Sequence, residues 1–367
     1  MTRATSLSDN LKPSPSEWTA ACSLGREIIA AVDTRSEIIA SRGLDRAFCL
    51  PDANWAPDAP NDYLDAYRLM RTLDWNEIRH LRFRCQVFSG FNLLHMRTSQ
   101  GLKSTFPVPE DPRLDPEPPE GNVAYWRALT QKVPVEHIFQ PPNALGEIGW
   151  IVPDHGGSFV NYETCVYQER ITLLTIAGVI GHLIKLGRPP RILEIGGGHG
   201  ALACALTSIF PKAQYTICDL PESLLFSGLY LSLAAKRQVR VLAAADVAEE
   251  NLAQPSATIE LVPNYLFGDL VGADRRYDLA INTLSMSEMS EHQILTYGRG
   301  LKPMIGETGM FFEQNQDNRH VGMAFAETVL SNLFPVGRRI KTDELPVTQG
   351  SPNLWSNRDL SPLFGRG

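Results

Sequence analysis

The stretch Arg191-Ile192-Leu193-Glu194-Ile195-Gly196-Gly197-Gly198-His199-Gly200 constrains the fold of this chain more than any other. An apolar run of strand length, Ile192 to Ile195, passes straight into a glycine row, and Ala201-Leu202-Ala203-Cys204-Ala205-Leu206 opens a helix behind it. Glycine takes positive φ at little cost and leaves no Cβ between the backbone and a ligand. The helix start offers unpaired N–H groups and the positive end of a dipole. Strand, glycine turn and helix in that order predict a nucleotide-type cofactor site at one edge of a parallel sheet.

The pattern after Arg191 alternates strand and helix, the signature of an α/β, Rossmann-like, doubly wound sheet. Strands are expected at Ile192–Ile195, Gln214–Cys218, Thr258–Val262, Tyr277–Thr283 and Gly309–Gln314. Helices are expected at Ala201–Ile209, Glu222–Ala235, Ser287–Gly300 and His320–Leu333. Gln238 to Pro255 reads either as an extra strand at Val239–Leu242 or as a helical insertion. Arg338–Lys341 and Asn353–Ser356 fit a closing antiparallel hairpin.

The glycine spacing alone admits two cofactors. Gly196 to Ala201 satisfies G-x-G-x-x-A, a form of the dinucleotide fingerprint. Glu194 to Gly200 satisfies E-x-G-x-G-x-G, the pattern of S-adenosylmethionine methyltransferases. Asp219, at the end of the second strand, suits a ribose diol and serves either cofactor; its competing role is an N-cap for the next helix. Asn264, after Val262-Pro263, could bond an adenine amine or simply make a turn. Asn282 and Thr283, at the end of the fourth strand, face the position of a methionine moiety. With Leu220, these residues and Glu194, Gly196, Gly197, Gly198 and Gly200 make up the expected cofactor set. The closing hairpin suits a methyltransferase sheet, into which an antiparallel strand inserts, and S-adenosyl-L-methionine is the cofactor the pattern favours. An NAD(P)-dependent oxidoreductase is the alternative that the glycine row leaves open.

Ile192 to Gly200, Cys218-Asp219-Leu220-Pro221-Glu222 with Leu229-Tyr230-Leu231-Ser232, and Asn282-Thr283-Leu284-Ser285-Met286-Ser287-Glu288-Met289 together resemble a bacterial family described as sugar O-methyltransferases, of the class I SAM-dependent superfamily. The resemblance spans roughly Val160 to Trp355. It implies an acidic-Leu-Pro-Glu after the second strand, a Ser-x-x-Glu-Met after the fourth and an asparagine, here Asn315, after the fifth. It also implies a sugar, a nucleotide sugar or a similar hydroxylated natural-product intermediate as methyl acceptor. The chain departs from the pattern where an arginine often follows that asparagine; here Gln316-Asp317-Asn318 intervenes before Arg319. N-, C- or carboxylate methylation of a small biosynthetic intermediate is a second reading of the same domain.

If the acceptor is a hydroxyl, a base must take its proton. Glu288 leads, being part of the family motif, although Ser285-x-x-Glu288 also reads as a capping box. His292 stands one helical turn further on. His320 lies near the end of the fifth strand, and His199, inside the glycine turn, suits a cofactor contact better than catalysis. No dense His/Asp cluster suggests a metal, and none is expected.

Upstream, residues 1–16 are polar and Ser/Pro-rich and read as a flexible tail. Residues 17–160 read as a mainly helical substrate, lid or dimerisation region, and 161–367 as the cofactor-binding domain. Prolines crowd a loop at 106–121, where neither helix nor central strand can continue. Trp75 to Met96 reads as a helix or helix pair broken near Ser89-Gly90, carrying Arg79, His80, Arg82 and Arg84. Asp154 and His155 lie in an irregular stretch that could line a cleft. Asn161 is a plausible N-cap, followed by an apolar stripe at Leu173, Ile176, Ile180, Leu183 and Ile184. At 367 residues with a formal charge of -7 and no long basic run, the chain is large enough for a substantial core and ill-suited to nucleic acid or an anionic membrane. Its six cysteines form no CxxC pair and are expected to be reduced core thiols. No apolar run of about 18 residues is present. A cytoplasmic enzyme acting on a small-molecule acceptor, compatible with a homodimer, is the expectation.

Overall fold

The computed structural model describes residues 2–5, 12–51, 62–85, 96–97, 113–114, 119–152, 158–243, 258–342, 345, 347 and 350–360. In the first part of the chain the elements are β1 (Thr2–Thr5), α1 (Pro15–Arg42), α2 (Arg46–Cys49), α3 (Asp62–Met70), α4 (Trp75–Ile78), α5 (Leu81–Arg84), β2 (Met96–Arg97), β3 (Arg113–Leu114), α6 (Pro119–Thr130), β4 (Ile148–Val152) and β5 (Ser158–Val160). Then follow α7 (Tyr162–Ile176), α8 (Val179–Ile184), β6 (Arg191–Ile195), α9 (Ala201–Ile209), β7 (Gln214–Asp219), α10 (Pro221–Leu229), β8 (Gln238–Val241) and β9 (Thr258–Pro263). The chain closes with α11 (Phe267–Gly272), β10 (Leu279–Thr283), α12 (Glu291–Ile305), β11 (Met310–Asn315), α13 (Ala326–Ser331), β12 (Val336–Arg339) and β13 (Ser351–Ser356).

Eight strands make one sheet in the order β12-β13-β11-β10-β6-β7-β9-β8. The run from β8 to β11 is parallel, and β13 inserts antiparallel between β11 and β12. This is a doubly wound, Rossmann-like α/β fold, with helices upstream of it. The central strands are buried, with all five residues of β10 and all six of β11 inside, whereas β8 alternates and β12 is mostly exposed at the two edges. The register aligns Ile195 with Cys218 and Asn282, Asp219 with Pro263, and Thr283 with Gln314. The glycine turn, Asp219, Asn264 and the segment after Thr283 therefore leave the sheet along one edge, where open α/β sheets bind ligands.

The extra strand at 238–241 forms, and the hairpin closes the sheet as the alternation indicates. Helix α10 passes into π geometry across Tyr230–Ala234. The expected fourth and fifth crossovers are split: 3-10 turns at Ser285–Glu288 and Arg319–Val321 precede α12 and α13.

Upstream of the sheet, several expectations change. Thr2–Thr5, inside the expected tail, pairs antiparallel with β4. Helix α1 starts inside the expected tail, with Ser14 and Glu17 forming a capping box and Gly43 closing the other end at φ +62. Trp75 onward forms two single turns, α4 and α5, rather than one helix; Ser89-Gly90 lies outside the described residues, as do Asp154 and His155. Within the proline loop only Arg113–Leu114 and the residues from Pro119 onward are described, the latter already helical. Asn161 caps α7 as its type predicts, its side chain accepting from the Thr164 N–H. The expected single stripe breaks at Gly178 (φ +82), and Ile176 and Ile184 face solvent while Leu173, Ile180 and Leu183 are buried.

Helix α1 lies on α10 and shares its core, with Leu24 and Ile28 among the sheet-covering residues. Two bidentate ion pairs hold α1 in place: Arg35 to Glu222 of α10 at 2.8 and 2.9 Å, buried, and Arg42 to Asp269 of α11 at 2.5 and 2.9 Å. The consequence for the site is direct. Helix α1 delivers α2 and the residues after it to the sheet edge that carries the glycine turn. All six cysteines are buried and free.

Candidate active site

A cavity of about 300 Å³ opens at the carboxyl ends of β6, β7, β9 and β10. Its wall includes Glu194, Gly196, Gly197, Gly198, Asp219, Leu220, Asn264, Thr283 and Glu288 from the expected set. Gly200, Asn282, His292 and His320 do not line it.

The glycine turn needs glycine for separate reasons at each position. Gly196, Gly198 and Gly200 have φ of +73, +55 and +89. A Cβ on Gly196 would meet the Ser285 side chain at 2.1 Å, and one on Gly197 would meet Ile217 at 2.7 Å. A Cβ on Gly198 would meet no protein atom within 4 Å, because that direction is the cavity itself. Gly200 instead packs inward against Leu231 and Ser227, so its contribution is to let α9 start close to α10.

Two acids frame the turn. Glu194 is buried on β6 and accepts from the Tyr215 hydroxyl at 2.7 Å. Asp219 accepts from the Gly198 N–H at 2.9 Å and the Leu220 N–H at 2.7 Å, tying the turn to the end of β7. It does not cap α10, whose first residues have no side-chain cap. Desolvation raises both carboxyls to about 7. A cationic or hydrogen-bond-donating ligand favours their ionised forms and must displace protons to bind near neutrality. Folding carries the opposite sign, since carboxyls raised in the native state hold protons that the unfolded chain releases. The ligand-free protein therefore loses stability as pH rises from about 4 to about 7. Affinity for S-adenosylhomocysteine should rise from about pH 6 to about pH 8, by up to about tenfold per unit for each proton released, and then level off. Calorimetry in two buffers of different ionisation enthalpy would detect the released protons; a flat profile would contradict this coupling.

One end of the cavity is roofed from upstream. Phe48, in α2, and Pro51 line it together with Cys218, Leu220, Asn264 and Tyr297, and the Phe48 ring packs edge-on against Tyr297 with centroids 4.8 Å apart. The Asn264 side chain donates to the Cys49 carbonyl at 3.0 Å, while its Oδ1 is buried without a partner. Gln293 donates to the Leu50 carbonyl at 3.2 Å, and His292 Nε2 lies 2.5 Å from Asp45 Oδ2. His292, proposed from sequence as a base, is thus a half-exposed surface tie between α12 and the roof. The helical-turn spacing from Glu288 fails because a 3-10 turn, not a continuous helix, carries Glu288.

The other end is formed after β10. Asn282, expected to touch cofactor, is wholly buried and committed to protein. It donates to the Ile195 carbonyl at 2.9 Å and to Ser285 Oγ at 2.5 Å, and accepts from the Met286 N–H and from Asn315. Asn315 in turn accepts from the Ser287 N–H at 3.1 Å. This network pins Leu284 at φ +66, a conformation that costs a branched side chain roughly 1–3 kcal/mol. The kink turns Thr283, Ser285, Ser287 and Glu288 toward the cavity. Ser285 does not cap Glu288; the capping box forms instead between Ser290 and Gln293 at the start of α12. His320 is exposed in its 3-10 turn. His199 is buried between the Tyr167 and Tyr230 rings with neither ring nitrogen hydrogen-bonded, and burial, with Arg82 and Arg170 nearby, drives its pKa well down.

Several wall residues carried no sequence motif: Phe48, Pro51, Tyr167, Arg170, Ser223, Tyr297, Gln316 and Asn318. Most lie far from the glycine turn in sequence. For Arg170 a signal existed: it is the one Lys or Arg in α7.

The residues present fit S-adenosylmethionine. The cavity matches the lower range of small-ligand sites. Gly198 leaves backbone open to the ligand, Asp219 stands where ribose hydroxyls can donate, and the orphaned Asn264 Oδ1 can accept from an adenine amine. Among the described residues no group of three or more His, Cys, Asp or Glu is placed to hold a metal ion, and no helix is long and apolar enough to cross a membrane.

Residues 166–262 match the O-methyltransferase domain family. No curated protein matches the chain. Among solved structures, human methyltransferase-like protein 13 in complex with SAH is 14% identical over 51% of this chain and 81% of that one, with a TM-score of 0.36. Monomeric WbdD is 17% identical over 63% and 48%, TM-score 0.35. The mitomycin 7-O-methyltransferase MmcR is 14% identical over 53% and 56%, TM-score 0.31. This chain spans about half the length of the latter two. The match gives residues 166–262 the character of an O-methyltransferase domain, and the donor set of the site fits S-adenosylmethionine as its cofactor.

Proposed function

We propose that this enzyme methylates an oxygen of a sugar or another hydroxylated small molecule, with Glu288 as the base or the anchor for the acceptor hydroxyl. The observation that carries the reading is the polar rim beyond the glycine turn: Ser285, Ser287, Glu288, Gln316 and Asn318 line the same cavity as Gly196–Gly198. The hydroxyls of Ser285 and Ser287 and the amides of Gln316 and Asn318, beside the Glu288 carboxylate, match a polyhydroxylated ligand, whose groups both donate and accept.

The cofactor, when bound, supplies a methyl already activated on a sulfonium. The protein's share is alignment and exclusion of water. In this reading Asp219 receives the ribose hydroxyls, Asn264 the adenine amine, and Gly196, Gly197, Gly198, Leu220 and Thr283 the rest of the cofactor. Gly200 and Asn282 act on that site indirectly, by closing the turn and by holding Leu284 in its kink. Glu288 takes the acceptor proton.

Glu288→Gln should leave affinity for S-adenosylhomocysteine unchanged within a factor of about two and lower kcat by about 10²–10⁴-fold. Full turnover in that variant would remove Glu288 from the mechanism. The acceptor itself is identified by mass spectrometry of products formed from panels of sugars, nucleotide sugars and phenolic or carboxylic natural products. A product methylated on nitrogen, carbon or carboxylate would replace the O-methylation reading while leaving the cofactor assignment intact. We also propose a homodimer without nucleic-acid or membrane partners, for which light scattering gives the mass directly.

A further inference from the structure

Four arginines are buried among the described residues: Arg35, Arg82, Arg84 and Arg170. Three have carboxylate partners. Arg35 pairs with Glu222, Arg82 with Glu147 and Glu163, and Arg84 with Glu77. Arg170 is 4% exposed and pairs with no carboxylate among the described residues, although Glu169 is its neighbour in sequence. Glu169 is engaged elsewhere, by Gln314 at 2.5 Å and by Tyr125. The Arg170 Nε is buried without a hydrogen-bond partner. Its guanidinium lies over the Tyr167 ring, 4.8 Å from the centroid, and both residues are part of the cavity wall. A buried, unpaired cation costs several kcal/mol unless something neutralises it. Its position on the cavity wall makes that something a ligand anion.

Glu194 lines the same cavity, close enough for Arg170 to favour its ionised form, yet the two do not pair with each other. A carboxylate and a guanidinium lining one cavity, and not paired with each other, complement an ammonium and a carboxylate on one carbon skeleton. We propose that Arg170 and Glu194 form an α-amino-acid clamp in which Arg170 binds the carboxylate, and Glu194 receives the ammonium, of the cofactor's methionine moiety. The assignment rests on the methyltransferase reading. It also explains why α7, outside the sheet, delivers a cation to this point. Arg170 takes no part in methyl transfer itself; it holds one end of the methyl donor, so that the sulfur presents its methyl toward Glu288.

The test compares S-adenosylhomocysteine with 5′-methylthioadenosine, which keeps the adenosine and the thioether but lacks the amino acid, by calorimetry on the wild type, Arg170→Gln and Arg170→Lys. The expected result is that Arg170→Gln weakens S-adenosylhomocysteine by about 10–100-fold, the range of a charge-assisted hydrogen bond, and leaves methylthioadenosine unchanged. Arg170→Lys should fall between, because lysine keeps the charge and loses the planar fork. Retained methylthioadenosine binding shows that the variant is folded. Unchanged affinity for S-adenosylhomocysteine in Arg170→Gln would overturn the clamp and assign the cation to an anionic acceptor instead. Equal weakening of both compounds would also overturn it. A wild type that binds neither compound would overturn the methyltransferase reading on which the clamp depends.

Discussion

Gly198→Val should lower affinity for S-adenosylhomocysteine by at least about 100-fold, the equivalent of roughly 2.7 kcal/mol. Two effects act together. Gly198 sits at φ +55, where a β-branched residue is strained. Its missing Cβ points into the cavity, with no protein atom within 4 Å to be displaced, so a valine side chain would occupy ligand space rather than disturb the core. The fold should survive, and the thermal midpoint without ligand should move by only a few degrees. Gly197→Ala is a different experiment. Its Cβ would meet Ile217 at 2.7 Å and Glu194 Oε2 at 3.3 Å, so loss of binding there would be mixed with loss of packing. Wild-type affinity in Gly198→Val, measured by calorimetry, would place the ligand elsewhere.

Arg82→Met should destabilise the protein by about 3–5 kcal/mol. Arg82 is 3% exposed and pairs at once with Glu147, at 2.5 Å, and with Glu163. It also lies over the Tyr230 ring, 5.6 Å from the centroid. Methionine approximates its volume, but it leaves two buried carboxylates facing each other. Glu147 also accepts from the Asn161 side chain at 2.7 Å, so the loss would reach the cap of α7, the helix that carries Arg170. The triple variant Arg82→Met, Glu147→Gln, Glu163→Gln should recover a large part of the loss, because the uncompensated charge, not the missing contact, carries most of it. Urea denaturation of the three proteins measures this. A single-variant loss below about 1 kcal/mol would show that the carboxylates are satisfied in another way. The position matters for function as well. His199, at the end of the glycine turn, has its Nδ1 3.9 Å from Glu163, so this cluster is the contact through which α5 buttresses the cofactor turn from behind.

Much of the sheet was legible because its signals are local. Apolar runs bounded by glycine, proline or acidic residues marked β6, β7, β9, β10 and β11 to within two residues. The two ends of the β12–β13 hairpin showed as apolar-polar alternation. The glycine turn was legible for the same reason, since positive φ and close approach leave few alternatives to glycine. What failed was anything that depends on long-range packing. The spacing between Glu288 and His292 suggested one helical face, but the kink at Leu284 and the Ser290 cap interrupt the helix between them. Asn282 was expected at the ligand because strand ends often are; its amide is consumed in holding that kink. Phe48 and Pro51, more than 140 residues before the glycine turn, reach the cavity only because α1 packs across α10 through Arg35 and Glu222. No local pattern announces such a roof. Arg170 lay between these cases. That it is the one cation of α7 was visible, but its lack of a carboxylate partner among the described residues is a property of the folded protein.

The central claim is that the glycine turn holds a methyl donor rather than a nicotinamide dinucleotide, and one calorimetric comparison tests it most directly. S-adenosylhomocysteine and NADH are titrated separately into the 367-residue chain at about pH 8, where Glu194 and Asp219 are mainly ionised. The structure predicts saturable one-to-one binding of S-adenosylhomocysteine and no measurable heat with NADH. Tight NADH binding with silence toward S-adenosylhomocysteine would contradict it.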